Sequence, residues 1–146
     1  MNRIILIIIA LFLIVDLHES NAQDAGSIIG TWKTIDDNSG KPRSHVEIYK
    51  KGDKYFGKVV KTYPKPGEPD DPICDLCPGE RKNKKVIGME IIKGMVYDDG
   101  EYVDGEILDP DNGKVYRCKL WLEDGILQVR GYVAFFFRTQ EWLPLD

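Results

Sequence analysis

Between residues 105 and 142 apolar and polar side chains alternate in short runs separated by Asp109-Pro110-Asp111-Asn112-Gly113 and by Glu123-Asp124-Gly125. A period of two belongs to a strand with one face in a core. Asn-Gly and Asp-Gly corners suit the primed turns whose twist matches paired strands, so the stretch predicts consecutive hairpins. Upstream, Gly30-Thr31-Trp32-Lys33-Thr34-Ile35 predicts a first strand, closed by Asp36-Asp37-Asn38-Ser39-Gly40. Ser44, Val46 and Ile48 then alternate with His45, Glu47 and Tyr49, and Lys51-Gly52-Asp53 makes the next corner. Residues 55–63 form a third strand in which Gly57 marks a bulge or bend. Strands at 89–97 and 101–108 flank Asp98-Asp99-Gly100; those at 114–122, 126–132 and 134–143 follow, and Pro144 ends the series.

Pro64, Pro66, Pro69, Pro72 and Pro78 punctuate the one long interruption, to about Lys85. Proline removes ladder donors and fixes φ, so this segment is a loop carried over the surface. The predicted fold is all-β: a single small antiparallel up-and-down barrel of about eight strands with one long Pro-rich loop. Closure is favoured because it removes both unpaired edges. An open sheet or a two-sheet sandwich is the alternative.

The ends change the picture. Arg3 precedes an apolar run over 4–15, Asp16, His18 and Glu19 close it off, and Ser20-Asn21-Ala22 places small residues before Gln23. This order describes a secretory signal peptide over 1–22 and a barrel domain over 23–146. The run is short for a bilayer span. The expectation is a periplasmic or secreted protein with no stable membrane span after cleavage; a retained anchor is the alternative. Loss of Arg3, Asp16 and Glu19 with the leader moves the net charge from −4 to about −3. With its lysines spread along the chain, such a balance offers no phosphate-tracking face and argues against nucleic acid as a partner.

No nucleophile, base and oxyanion site converge, so no catalytic residue is assigned and an enzyme is disfavoured. After leader removal His45 is the one histidine left; any Ser-His-Asp or Cys-His arrangement must pass through it, and no Gly-x-Ser-x-Gly elbow supports one. Its plainer reading is a surface or rim histidine. Cys74-Asp75-Leu76-Cys77 is the sharpest local motif. The pair can close a disulfide that pins the loop, act in thiol redox chemistry, or supply half a zinc site. An oxidising compartment favours the disulfide. Cys118 shares a face with Tyr116, Leu120 and Leu122, so it reads as a small buried residue, with a bond to Cys74 or Cys77 as the alternative. Asp98, Asp99, Asp104, Asp109 and Asp111 all lie at or beside corners, where carboxylates bond their own backbone. Neither a metal nor a cofactor is assigned.

Ala134-Phe135-Phe136-Phe137-Arg138 is apolar on both strand faces. If Phe136, Arg138, Gln140 and Trp142 point inward, Phe135 and Phe137 point outward together with Trp121, and make an interaction patch for a partner, an oligomer contact or a face covered by the N-terminal segment. The alternative is that local twist or a bulge buries them.

The whole pattern resembles the uncharacterised exported bacterial family DUF2147. The resemblance rests on Gly30-Thr31-Trp32, Pro42-Arg43-Ser44, the Cys74 and Cys77 pair before Gly79-Glu80-Arg81-Lys82, Gly88, and Gly105-Glu106-Ile107-Leu108-Asp109-Pro110. It continues through Gly113-Lys114-Val115-Tyr116, Val129-Arg130-Gly131-Tyr132 and Thr139-Gln140-Glu141-Trp142. It implies a bacterial, periplasmic protein. A looser similarity to calycins, the lipocalins and fatty-acid-binding proteins, rests on Gly30 and Trp32. It implies that Trp32 stacks on an arginine near the end of the chain, Arg138 or in its place Arg130. On these grounds three functions stand: a lipocalin-like barrel holding a small apolar or amphipathic ligand, an envelope module that docks a protein partner or serves a stress response, and a thiol-redox protein using Cys74 and Cys77.

Overall fold

The computed structural model describes residues 27–145; the expected leader lies outside them. The strands are β1 (Gly30–Ile35), β2 (Pro42–Lys51), β3 (Lys54–Thr62), β4 (Ile73–Cys74), β5 (Lys84–Lys85), β6 (Glu90–Asp98), β7 (Glu101–Asp109), β8 (Lys114–Glu123), β9 (Ile126–Val133) and β10 (Phe136–Pro144). Eight of them close into an antiparallel barrel in the order β1-β2-β3-β6-β7-β8-β9-β10, and β10 pairs back onto β1. β4 and β5 make a small ribbon of their own, separated by one turn of 3-10 helix, Gly79–Arg81. Among the described residues no helix is long and apolar enough to cross a membrane.

Corner chemistry follows the sequence at Asp99-Gly100 and Asp124-Gly125, where both residues of each pair take positive φ and give the primed turns expected there. Two corners differ. Residues 110–113 form a four-residue loop in which only Gly113 has positive φ, and the Asp109 carboxylate shapes it by accepting from the Asp111 N–H and the Asn112 side chain. The strand expected over 134–143 begins instead at Phe136. Ala134 and Phe135 are a two-residue corner between the paired Val133 and Phe136, with Ala134 at φ +51°. Neither residue is a turn former, so nothing local announced the corner.

The barrel is filled by its own side chains. All eight strands contribute to one buried cluster that includes Trp32, Val46, Ile48, Val59, Ile92, Met95, Tyr102, Leu120, Leu127, Val129 and Trp142. Burying each such aliphatic side chain is worth about 1.5–3 kcal/mol. Two glycines measure how tight this packing is. A Cβ on Gly57 would stand 3.2 Å from Ile92, and one on Gly105 would stand 2.2 Å from the Met95 sulfur. At Gly105 the backbone must come bare for these neighbours to fit, and at Gly57 a side chain would press on Ile92 and Val46.

A second, smaller apolar layer lies outside the barrel wall. Ile91 and Leu108 sit one step beyond the Ile92 and Ile107 pair, on the opposite face of β6 and β7, yet both are buried. Cys74, Cys77, Val86 and Met89 of the 63–89 excursion are buried in the same cluster. The excursion is anchored nearby: the Cys74 sulfur lies 3.5 Å from the Pro110 carbonyl, and Arg81 donates to the Glu90 carbonyl and to Glu106.

Candidate functional site

β9 and β10 overhang the end of the barrel. Trp32 pairs with Pro144 and Lys33 with Leu143, so the last residue of β1, Ile35, falls opposite Glu141. Residues 136–140 therefore extend past the strand that would flank them. The overhang carries Val133 at 55% exposure, Phe135 at 99%, Phe136 at 78% and Phe137 at 60%. Successive strand residues point to opposite faces, so an aromatic run of this kind is exposed on both sides of the hairpin. The alternative that local twist buries these rings is excluded by those exposures.

Behind the tip, the outer face of β8, β9 and β10 carries a ladder of arginines on aromatic rings. The Arg130 guanidinium lies 4.2 Å from the Phe137 ring centre and 4.8 Å from that of Trp121, and its Nε donates to the Thr139 hydroxyl. Arg117 lies over Tyr132, which in turn packs on Phe137. Lys119 stands over Trp121 and pairs with Glu101. Trp121 is half-buried beneath these cations, so it belongs to the ladder and not to the bare tip.

The expected contact between Trp32 and Arg138 is not formed. Arg138 lies six residues along β10 from Pro144, the partner of Trp32, which is roughly 20 Å of strand. The Trp32 indole N–H donates instead to the Ile28 carbonyl. Arg138, on the overhang, pairs with Asp37 in the β1–β2 turn, and Gln140 donates to the same carboxylate. These side chains bridge the gap that the short β1 leaves. Arg130, the substitute, stacks on Trp121 and Phe137.

The remaining candidates fall elsewhere. Cys74 and Cys77 lie at disulfide-bonding distance, both buried, and pin the excursion. Cys118 is a separate buried thiol, and burial pushes its pKa up to about 12, which keeps it protonated and unreactive. His45 is half-buried on the barrel wall, hydrogen-bonded to the Tyr63 hydroxyl at 2.9 Å. Burial and the nearby Lys61 and Lys33 lower its pKa.

A charge network that the sequence did not announce holds the excursion's first half. Arg43 pairs with Glu68 and Asp111, and Lys65 pairs with Asp36 and Asp111. Three corners distant in sequence are joined this way, and no local motif marks them. The Tyr49 hydroxyl also donates to Glu90.

Two open clefts lie on the surface of the described residues. One of about 350 Å3 lies over Gly105 and Cys118, between Asp104, Arg117 and Tyr132. The other, about 590 Å3, runs beside the 3-10 turn. Its Lys85, Lys93 and Arg81 are already paired with Asp71, Glu80 and Glu106. Among the described residues no group of three or more His, Cys, Asp or Glu side chains gathers as a metal site.

Comparison with known proteins agrees with this architecture. No curated protein matches the chain. Among solved structures, HP1028 from the human pathogen Helicobacter pylori, described as belonging to the lipocalin family, superposes with a TM-score of 0.70 at 17% identity. The match covers 82% of this chain and 84% of that one, so the barrel is lipocalin-like in fold. The family model for uncharacterized proteins conserved in bacteria matches residues 30–143, nearly the whole described barrel, and the chain belongs to that family, DUF2147.

Proposed function

We propose that this protein is an exported envelope component, periplasmic or secreted, that works as a docking module through the aromatic β9–β10 tip. The observation that carries the reading is the tip itself. Four large apolar side chains at 133–137 stand in solvent on a corner whose alanine is held at positive φ. Bare apolar clusters of this kind mark interaction sites, and a left-handed alanine is a conformation that persists where the surroundings enforce it. A lipocalin-like fold is compatible with a small ligand. Here, however, the space a carrier would give to its cargo is taken by Met95, Ile92, Leu120 and their neighbours.

Cell fractionation tests the reading. The wild-type protein is expected with the membrane fraction, and Phe135→Ser/Phe136→Ser is expected to move to the soluble fraction with an unchanged unfolding midpoint. Identical partitioning of the two proteins would remove the tip from function. A small molecule retained on the tip variant in native mass spectrometry would return function to the barrel interior.

A further inference from the structure

The side chains behind the tip specify the chemistry of its partner. Resting on the docking reading, we propose that the tip inserts into an anionic lipid surface, with Phe135, Phe136 and Phe137 entering the interfacial layer and Arg117 and Arg130 meeting its headgroups. Three features support this occupant over a protein face.

The first is shape. Val133 and Phe136 project on one side of the hairpin, Phe137 on the other, and Phe135 from its apex. A rigid partner surface covers one face of a hairpin, whereas a fluid layer surrounds both. The second is spacing. Arg130 pairs with Thr139, two residues behind Phe137 on β10, and Arg117 pairs with Tyr132, the residue opposite Phe137. Counted along the strands from Phe136, Arg117 thus stands about 3 Å back and Arg130 about 10 Å back. Amphipathic elements bury their apolar side about 5–10 Å into the boundary between headgroups and acyl chains. Aromatic rings favour this layer, and arginine stems reach back from it toward the headgroups.

The third is charge. Arg138 is neutralised by Asp37 and Lys119 by Glu101. Arg117 and Arg130 rest on rings, and among the described residues neither pairs with a carboxylate. Two permanent positive charges beside an apolar tip complement an anionic surface.

Co-sedimentation with vesicles tests the proposal, using phosphatidylcholine alone and phosphatidylcholine with roughly a third phosphatidylglycerol. Every variant is compared in the same N-terminal form as the wild type, so that segment contributes equally to each. The wild type is expected to bind the anionic vesicles at least roughly tenfold more tightly than the neutral ones, with the difference shrinking as salt is added. Arg117→Gln and Arg130→Gln are each expected to weaken binding about fivefold, while Arg117→Lys/Arg130→Lys retains it. Phe135→Trp should be quenched by brominated acyl chains. Equal binding to both vesicles, indifference to Phe135→Ser/Phe136→Ser, or a dimer in solution abolished by those substitutions overturns the lipid surface as partner. If the wild type ignores both vesicles while the tip variant still leaves the membrane fraction, the docking reading survives and the lipid proposal falls. If the tip variant also stays with the membranes, both fall.

Discussion

Two segments at the same end of the barrel invert the usual relation between hydropathy and burial. The 63–89 excursion is rich in proline, lysine and acidic residues, yet it buries Cys74, Cys77, Val86 and Met89 against the outer wall. The β9–β10 tip is nearly all apolar and stands bare. The excursion is long enough to fold back on the sheet, where Ile91 and Leu108 wait, and its Lys65 and Glu68 find partners at Asp36, Asp111 and Arg43. A two-residue corner cannot fold back on anything. Whether an apolar side chain is buried here depends on whether the chain has the length and the neighbours to cover it.

The contrast can be broken most severely from the excursion side. Met89→Ala is expected to cost about 2–5 kcal/mol in urea unfolding, because it empties a buried site. A loss below about 0.5 kcal/mol would show the excursion to be only a loosely laid loop.

Next in size is the disulfide. Cys74→Ser/Cys77→Ser releases a short closed loop, for which chain entropy gives about 2 kcal/mol. Amide exchange should rise at residues 72–86 more than in β6 and β7. Uniform loosening of the whole barrel would contradict a local pin.

Acid should act more weakly on the same region. Lys65 and the Ser39 N–H hold the Asp36 carboxyl well below the usual range. At Asp111 burial alone would raise the pKa, but Arg43 and Lys65 outweigh it and the net direction is down. Depressed carboxylates stabilise the fold above their unfolded value of about 3.9, and the contribution is lost as pH falls below it. Protection factors near Tyr63 and Glu68 should therefore drop below about pH 4 before those of β8 and β9. Asp36→Asn should flatten that dependence.

The smallest effect belongs to the tip. Phe135→Ser is expected to change stability by no more than about 0.5 kcal/mol, since its ring is as exposed in the native state as in the unfolded chain. A cost comparable to that of Met89→Ala would mean that the ring is covered in the native protein.

Much of the barrel was legible because its information is local. The alternation of Val46 and Ile48 with Glu47 and Tyr49 assigns the two faces of β2, and Asp99-Gly100 and Asp124-Gly125 mark their turns by backbone preference alone. The candidate site was legible only in part. Phe135 and Phe137 stand out because three successive phenylalanines cannot share one strand face, but the Ala134 corner carries no turn residue and its sequence is indistinguishable from strand. Arg117 carries no local signal, since an outward arginine on a strand is ordinary until Tyr132 and Phe137 stand beside it.

By itself the sequence determined the all-β class, the faces of strands such as β2 and the hairpin corners at Asp99-Gly100 and Asp124-Gly125, because these follow from side-chain period and local backbone preference. Tertiary structure alone decided the register at which β10 meets β1. That register sums the stagger around eight strands, and no single strand encodes it. It separates Trp32 from Arg138, leaves β1 too short to flank residues 136–140, and thereby sets the phenylalanines out in solvent.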